Sequence, residues 1–387
     1  MKSIKQTPSI SNYFSRLQKG SILNLLVQLS SNLGLGFAAF YFKIHGVELY
    51  KIILIWAITP LASLPIVFLS NNWNIKRYLT YGSLAYTGMA LSLLFFNKYS
   101  FILYGIFNGL CLGFFWVSLN YVFFLESSHD NHAKDSSIYF ILGPLVGIVL
   151  PPLGSLIIGG LGYRALFFIT VILTLLPLLY LRGKNLDISL HESFRSADKA
   201  FKGFRLITFF DGALHYFQGN FLAIYVLLFL RSQYQVGGLE SYLALLSLVV
   251  SFFLSHVSDK SKKRVEILYP ILIVMSVLIM VMPGLKDLAA LIIIGGVYAV
   301  LDNLSLPIRF AVPMDFVKLD IGFWRASEFY GNIGRTVVFG CASLLLYEGS
   351  KWAAFGIFAV MTLVFPFIIS RKITTLRKLA LLTKEDI

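Results

Sequence analysis

Charge is what this sequence has least of. Only 13% of its 387 residues are Asp, Glu, Lys or Arg, about half the share found in water-soluble domains. With 57% hydrophobic residues and a mean hydropathy of +0.76, that scarcity excludes a soluble globular chain. Cysteine is nearly absent too. Cys111 and Cys341 both fall inside apolar runs, so they read as small packing residues and a disulfide framework is excluded. The first 20 residues lack the early apolar core of a cleaved signal and are expected to form a basic cytoplasmic tail. The loops are mostly short and hold no nucleophile–base set. Glu126, His129, Asp130, His132 and Asp135 have metal-ligand side chains but no zinc spacing, and read as a solvated turn. No metal and no cofactor are expected.

What is there is a succession of long apolar runs between residues 21 and 370, each about the length that crosses a bilayer as a helix. The expected fold class is all-α, a polytopic membrane protein of twelve transmembrane helices. The first six spans cover about 21–43, 48–70, 78–96, 100–124, 138–160 and 162–181; the second six cover about 207–231, 240–257, 266–284, 287–309, 325–347 and 351–370. A tight turn is expected from Gly160 to Arg164, and Pro307 and Pro313 are expected to interrupt the tenth span. The net charge of +14 invites a nucleic-acid partner, but the cations sit in short loops and not along a stripe, so none is expected. With an even number of spans both termini share a side. Of the 33 Lys and Arg, 23 fall on that side and 7 on the other, which puts both termini in the cytoplasm of a multi-pass protein of the inner or plasma membrane.

The one long internal polar segment, Arg182 to Arg205, divides the chain. The expected parts are a tail over 1–20, a six-helix bundle over 21–181, a linker over 182–206, a second bundle over 207–370 and a tail over 371–387. Within the linker, Asp198 to Arg205 reads as an amphipathic helix lying on anionic lipid. The halves carry traces of duplication. A shift of 188 residues sets Asn32 on Asn220 and Lys43 on Arg231; a shift of 187 sets Asn72 to Arg77 on Asp259 to Arg264; and a shift of 190 sets Ser137 to Phe140 on Ser327 to Tyr330.

Twelve spans in two halves, a basic central linker and cytoplasmic termini together resemble the major facilitator superfamily over essentially the whole chain. That family carries a loop motif, G-x-x-x-D-[RK]-x-G-[RK]-[RK], after the second span and often again after the eighth. The second copy here, Ser255-His256-Val257-Ser258-Asp259-Lys260-Ser261-Lys262-Lys263-Arg264, keeps the acid and the cations but neither glycine. The first keeps only Lys76 and Arg77, with Asn72 where the acid would be. The resemblance gives Asp259, Lys263 and Arg264 a gating role, the acid latching one conformation through charge-assisted hydrogen bonds. The plainer alternative is a charged turn that obeys the positive-inside rule. Gly143-Pro144-Leu145-Val146-Gly147 resembles the antiporter signature G-P-x-x-G-G with Ile148 replacing the last glycine, while the arginine of many antiporters' fourth span is missing.

The resemblance also implies that spans one, four, seven and ten line a central cavity. Each has a polar face at helical spacing: Asn24, Gln28 and Asn32; Asn108, Trp116 and Asn120; Asp211, His215 and Gln218 with Asn220; and Tyr298, Asp302, Asn303 and Arg309. The expected substrate-cavity residues are Asn24, Gln28, Asn32, Asn108, Trp116, Asn120, His215, Gln218 and Tyr298. For the amides the alternative is interhelical glue, worth about 0.6–2 kcal/mol per bond. The eleventh span adds Arg325, Glu328, Asn332 and Arg335. Glu328 and Arg335 lie two turns apart, roughly 10 Å, so each is expected to pair across to another helix, with Asp302 and Arg309 the nearest candidates. Asp211, Asp302, Arg309, Glu328 and Arg335 then form either a proton-coupling set or a structural buried network. The interiors of spans one to six hold no Asp, Glu, Lys or Arg, so a proton carrier has to lie in the second half.

The expected function is secondary active transport of a small organic solute by alternating access, coupled to protons in the direction of efflux, by a monomer in the lipid bilayer. Proton-linked uptake of a small metabolite is the runner-up. A polytopic lipid-modifying enzyme is more distant, and the eroded first loop motif leaves room for a transport-inactive receptor.

Overall fold

The computed structural model describes residues 10–69, 71–124, 132–186, 188–257, 264–314, 317 and 319–385. Asp259 and Lys263 of the second loop motif lie outside the described residues, and Arg264 is described only as the first residue of a helix. Glu126, His129 and Asp130 lie outside them as well.

The chain runs α1 (Ile10–Leu33), α2 (Ala38–Ile44), α3 (Leu49–Leu69), β1 (Asn72–Asn74), α4 (Ile75–Leu94), α5 (Ser100–Cys111), a π-turn (Leu112–Trp116), α6 (Val117–Phe124), α7 (His132–Gly147) and α8 (Leu150–Arg182). There follow β2 (Ser189–His191), α9 (Phe194–Phe201), α10 (Arg205–His215), a second π-turn (Phe217–Leu222), α11 (Ala223–Val226) and α12 (Gln233–Val257). The chain ends with α13 (Arg264–Val281), α14 (Leu288–Met314), α15 (Ile321–Tyr347) and α16 (Lys351–Glu385).

Helix therefore lies over every one of the expected spans. Eight segments among the described residues are long and apolar enough to cross a bilayer. The longest, Tyr139–Arg182, breaks at Gly162, whose φ of 82° only glycine adopts without strain, so the expected turn forms there. Pro307 and Pro313 do not interrupt the tenth span, contrary to expectation; α14 runs through both to Met314. In a membrane bundle, neighbouring helices and local adjustments of the backbone re-satisfy the carbonyls a proline frees. Large apolar side chains such as Leu61, Leu156, Leu179 and Val360 face outward, as a lipid-facing surface requires.

In the first half α1 and α4 pack on α8, and α3 packs on α5; in the second, α13 packs on α16 and α12 on α14. The halves meet where α3 runs along α15 and where α7 and α8 lie against α12. Helices α10 and α15 cross at glycines. A Cβ on Gly212 would strike the backbone of Gly331, and one on Gly334 would strike that of Phe209. Close backbone approach through small residues is the ordinary way membrane helices gain packing energy. Gly212→Ala is thus expected to lower the thermal midpoint of the detergent-solubilised protein, by a stability loss of about 1–3 kcal/mol. Gly340→Ala is the contrast, because the added methyl would meet nothing nearer than Ala57 at 4.0 Å. Equal midpoints for the two variants would sink the reading.

The linker is structured. β1 and β2 pair antiparallel, Trp73 opposite Leu190, so the first loop motif is occupied by a strand from the linker. Next to it, α9 starts at Ser193, whose side chain accepts from Ser196 N. Its apolar face, Ala197 and Phe201, is buried against α15, with Phe201 5.6 Å from Phe323 and 6.3 Å from Tyr330 between ring centroids. That face lies on protein and not on lipid, because α15 offers the aromatic partners.

Candidate functional site

A cavity of about 490 Å³ lies between the halves. Helix α1 supplies Asn24 and Gln28, the first π-turn and α6 supply Trp116 and Asn120, and α10 supplies Asp211 and His215. Asn220 follows from the second π-turn, and α15 adds Glu328 and Arg335. The amides of the first half are fixed by their neighbours. Asn24 Nδ2 donates to Tyr139 O at 3.3 Å, Gln28 Nε2 to Asn24 Oδ1 at 3.3 Å, and Tyr139 Oη to Asn120 Oδ1 at 2.7 Å. His215 stands 6.0 Å from the Phe140 ring.

Four expected cavity residues lie elsewhere. Asn32 turns back along its own helix, donating to Gln28 O at 2.9 Å and Gln28 Oε1 at 3.2 Å. Gln218 sits at the start of the second π-turn, whose wider turn removes it from the face of Asp211 and His215 and presents Asn220 in its place. Asn108 precedes the first π-turn and lines a second cavity, of about 260 Å³. Tyr298 is fully buried, its ring 5.1 Å from that of Phe217. A strict 3.6-residue period predicts the wrong phase across a π-turn, which is the cause of two of these four shifts.

Several lining residues carry no polar signal in the sequence. Trp56 of α3 lines both cavities, and Tyr139, Phe140, Gly143 and Pro144 of α7 line the larger one. From α14, Phe310 alone among the described residues lines the larger cavity. Span eleven lines the cavity where span ten was expected to. Glu240, at the expected start of the eighth span, lines the second cavity.

The charged residues form two groups. Arg309, fully buried, donates from Nη2 to Asp302 Oδ1 at 2.6 Å and lies with Nη1 3.1 Å from Asp211 Oδ1. The second contact is close enough for charge attraction but is not aligned as a hydrogen bond. Arg335 donates to Glu328 Oε1 at 2.5 Å, to Asn332 Oδ1 at 2.6 Å and to Gly212 O at 3.3 Å, and lies 4.3 Å over the Tyr216 ring. The expected pairing of Glu328 and Arg335 with other helices is therefore corrected. Both acid–arginine pairs are seven residues apart on one helix, and the extended arginine side chain spans the two turns. Asn303, by contrast, is glue: it donates to Ser247 Oγ at 2.8 Å.

Hydrogen bonds bridge the halves at both ends of the bundle. At the linker end Arg325 donates to Val67 O at 3.0 and 3.1 Å and to Glu192 O at 2.7 Å, joining α15 to α3 and to the linker. At the other end the Lys43 ammonium donates to Leu227 O, and to Leu230 O at 3.0 Å, closing α2 on the segment after α11.

The comparisons with known proteins agree with this architecture. The chain superposes on the E. coli fucose:proton symporter with a TM-score of 0.68 at 13% identity, covering 93% of this chain and 99% of that one. It superposes on a POT family transporter in complex with 5-aminolevulinic acid (TM-score 0.63, 13% identity, 91% and 95% covered) and on a human organic anion transporter (0.61, 12%, 92% and 99%). No curated protein matches the chain by sequence. The family model of the Major Facilitator Superfamily matches residues 14–320. With that match over most of its length, the chain belongs to the major facilitator superfamily, a family of membrane transporters.

Proposed function

We propose that this protein is a secondary active transporter that moves a small organic solute across the membrane by alternating access, in exchange for protons. The observation that carries the reading is the 490 Å³ cavity between the halves, walled by both. Its size lies in the ordinary range for small-molecule sites, about 300–1,000 Å³. Trp56, Trp116, Tyr139, Phe140 and Trp324 make apolar walls, and Asn24, Gln28, Asn120 and His215 supply a few directed polar groups. That mixture suits a partly apolar organic solute better than a polyanion. The two closures support alternating access. Arg325 holds one end and Lys43 the other, and a solute held between them leaves when either set of carbonyl bonds is broken.

In this reading the chain crosses the bilayer twelve times, as two six-helix bundles with both termini in the cytoplasm. Asn24, Gln28, Trp116, Asn120 and His215 contact solute. Asp211 and Glu328 are the carboxyls that both line the cavity and touch a guanidinium, so protonating Asp211 weakens the hold of Arg309 of α14 on α10, and protonating Glu328 frees Arg335 of α15, which also bonds Gly212 O of α10. The superposition on a fucose:proton symporter supports proton coupling. Proteoliposomes containing a pH-sensitive dye, challenged with small organic amines, sugars and carboxylates, test it. The expected result is solute-dependent proton movement in the wild type, and its loss in Asp211→Asn and Glu328→Gln. If Asp211→Asn, Asp302→Asn and Glu328→Gln all retain gradient-driven flux, proton coupling through these groups is wrong. The sign of the pH gradient that drives accumulation reads the direction.

A further inference from the structure

The second cavity differs in chemistry from the first. It lies farther along α1 and the seventh span, bounded by Ser31, Ala39 and Phe42 on one side and Ala223, Ile224 and Leu227 on the other. Trp56 and Asn220 line both cavities and so stand between them. Trp56 also meets the Tyr216 ring edge to face, centroids 5.9 Å apart. Among the described residues no Lys, Arg or His lines the second cavity. The amine of Lys43, next in the chain to the lining residue Phe42, is occupied by the carbonyls of Leu227 and Leu230.

One carboxylate lines it, that of Glu240. Asp211, Asp302 and Glu328 all lie against an arginine. Glu240 forms no hydrogen bond or ion pair among the described residues. Its position is set firmly. Gly237, one turn earlier, lies so close to Pro151 that a Cβ there would strike Pro151 O and Ser155 Oγ. The next residue, Ser241, donates to Ile148 O at 2.5 Å. Helix α12 is thus pinned on α8 and on the turn before it, one contact on either side of Glu240, which fixes the stretch of backbone that carries this carboxylate. Four aromatic side chains share the cavity: Phe42, Trp56, Tyr86 and Tyr104. Phe42 and Tyr104 pack edge to face, centroids 5.7 Å apart, as one wall.

A lone carboxylate among aromatic rings is complementary to a positive charge spread over carbon. Each ring face attracts such a cation, and the carboxylate neutralises it. An anion finds no donor cation here. A hard metal ion favours several carboxylate ligands, and no group of three His, Cys, Asp or Glu that could hold one occurs among the described residues. The volume of about 260 Å³ falls just under the range that holds drug-sized molecules, so the occupant is compact. From this we infer that the second cavity is a binding site for a compact organic cation, a quaternary or protonated amine. Glu240 supplies the countercharge, and Phe42, Trp56, Tyr86 and Tyr104 form the cage. This rests on the transport reading only for its physiological use, since it names the class of solute that would be carried; binding itself does not require transport.

The test is equilibrium binding to the purified full-length protein in detergent, where no flux occurs. The probes are radiolabelled choline and its uncharged carbon isostere, in which a tert-butyl group replaces trimethylammonium. The expected result is choline binding to the wild type with the isostere at least about tenfold weaker, and choline binding at least about tenfold weaker in Glu240→Gln. Glu240→Gln is also expected to keep or raise the thermal midpoint, because it removes an unpaired carboxylate from an apolar site. Equal binding of choline and isostere to the wild type overturns the inference without any variant. So does failure of the wild type to bind choline, or unchanged affinity in Glu240→Gln. Loss of choline binding in Glu328→Gln with retention in Glu240→Gln would move the cation to the larger cavity and overturn it too. Choline binding with no flux in proteoliposomes would count against the transport reading alone.

Discussion

Replacing Arg309 by leucine is expected to remove most of the folded protein. The guanidinium is fully buried and is the only cation in contact with either Asp302 or Asp211 among the described residues. Leucine would leave two carboxyls near each other in a low-dielectric interior. Breaking a buried pair by removing one partner costs about 3–5 kcal/mol, a large part of the roughly 5–15 kcal/mol that keeps a domain folded. The measurement is the monodisperse yield and thermal midpoint in detergent. The triple variant Asp211→Asn, Asp302→Asn, Arg309→Gln separates charge from shape: it keeps hydrogen-bonding groups of similar size without net charge, and is expected to recover most of the loss. A single Arg309→Leu protein as stable as wild type would show that the ion cluster does not hold α10 to α14.

The second large effect concerns the linker end. Arg325→Leu is expected to shift the protein toward a state opened there. The guanidinium is buried, lies 5.6 Å from the Trp73 ring and 5.9 Å from Phe194, and bonds carbonyls of α3 and of the linker at once. Hydrogen bonds from a charged donor are worth about 1.5–3 kcal/mol, which corresponds to a shift of roughly 10- to 150-fold in the balance of two states. Spin labels at Arg77 and Leu206, both exposed and on opposite halves, read the change as a longer distance distribution. An unaltered distribution in Arg325→Leu would mean that the clamp is packing and not closure.

Much of this was legible in residue pattern. Long apolar runs located the helices because a bilayer demands about 20 such residues in a row. Asn24, Gln28, Trp116, Asn120, Asp211 and His215 stood out because polar side chains inside a span need a polar neighbour. What escaped has physical reasons. Trp56 and Phe140 look like any lipid-facing aromatics, and only the packing shows which way they point. Glu240 sat at the expected edge of its span, where an acid needs no explanation; helix α12 begins at Gln233 and carries it inside. The two π-turns have no sequence signature, yet at the first Asn108 lines the second cavity in place of the larger one, and at the second Gln218 lines neither. The pairing of Glu328 with Arg335 does not follow from helix rise alone, because the arginine side chain adds its own reach. The strand pairing of Asn72–Asn74 with Ser189–His191 joins segments more than a hundred residues apart, which no local pattern encodes.

That strand pairing also meters distance. His191 is fastened to the first half through β1, and Phe194 is fastened to the second through Phe329, 4.8 Å away between ring centroids. Only Glu192 and Ser193 lie between them. Three peptide steps, pulled straight, reach about 10 Å. The chain here is a leash of fixed length, and the halves can part at this end only as far as it allows. Any wider opening has to unzip three residue pairs or lift α9 from its seat. The stretch that fixes this limit contains neither a cavity residue nor a membrane-spanning one, so the reach of the opening can be altered by lengthening the leash while the binding surfaces stay as they are.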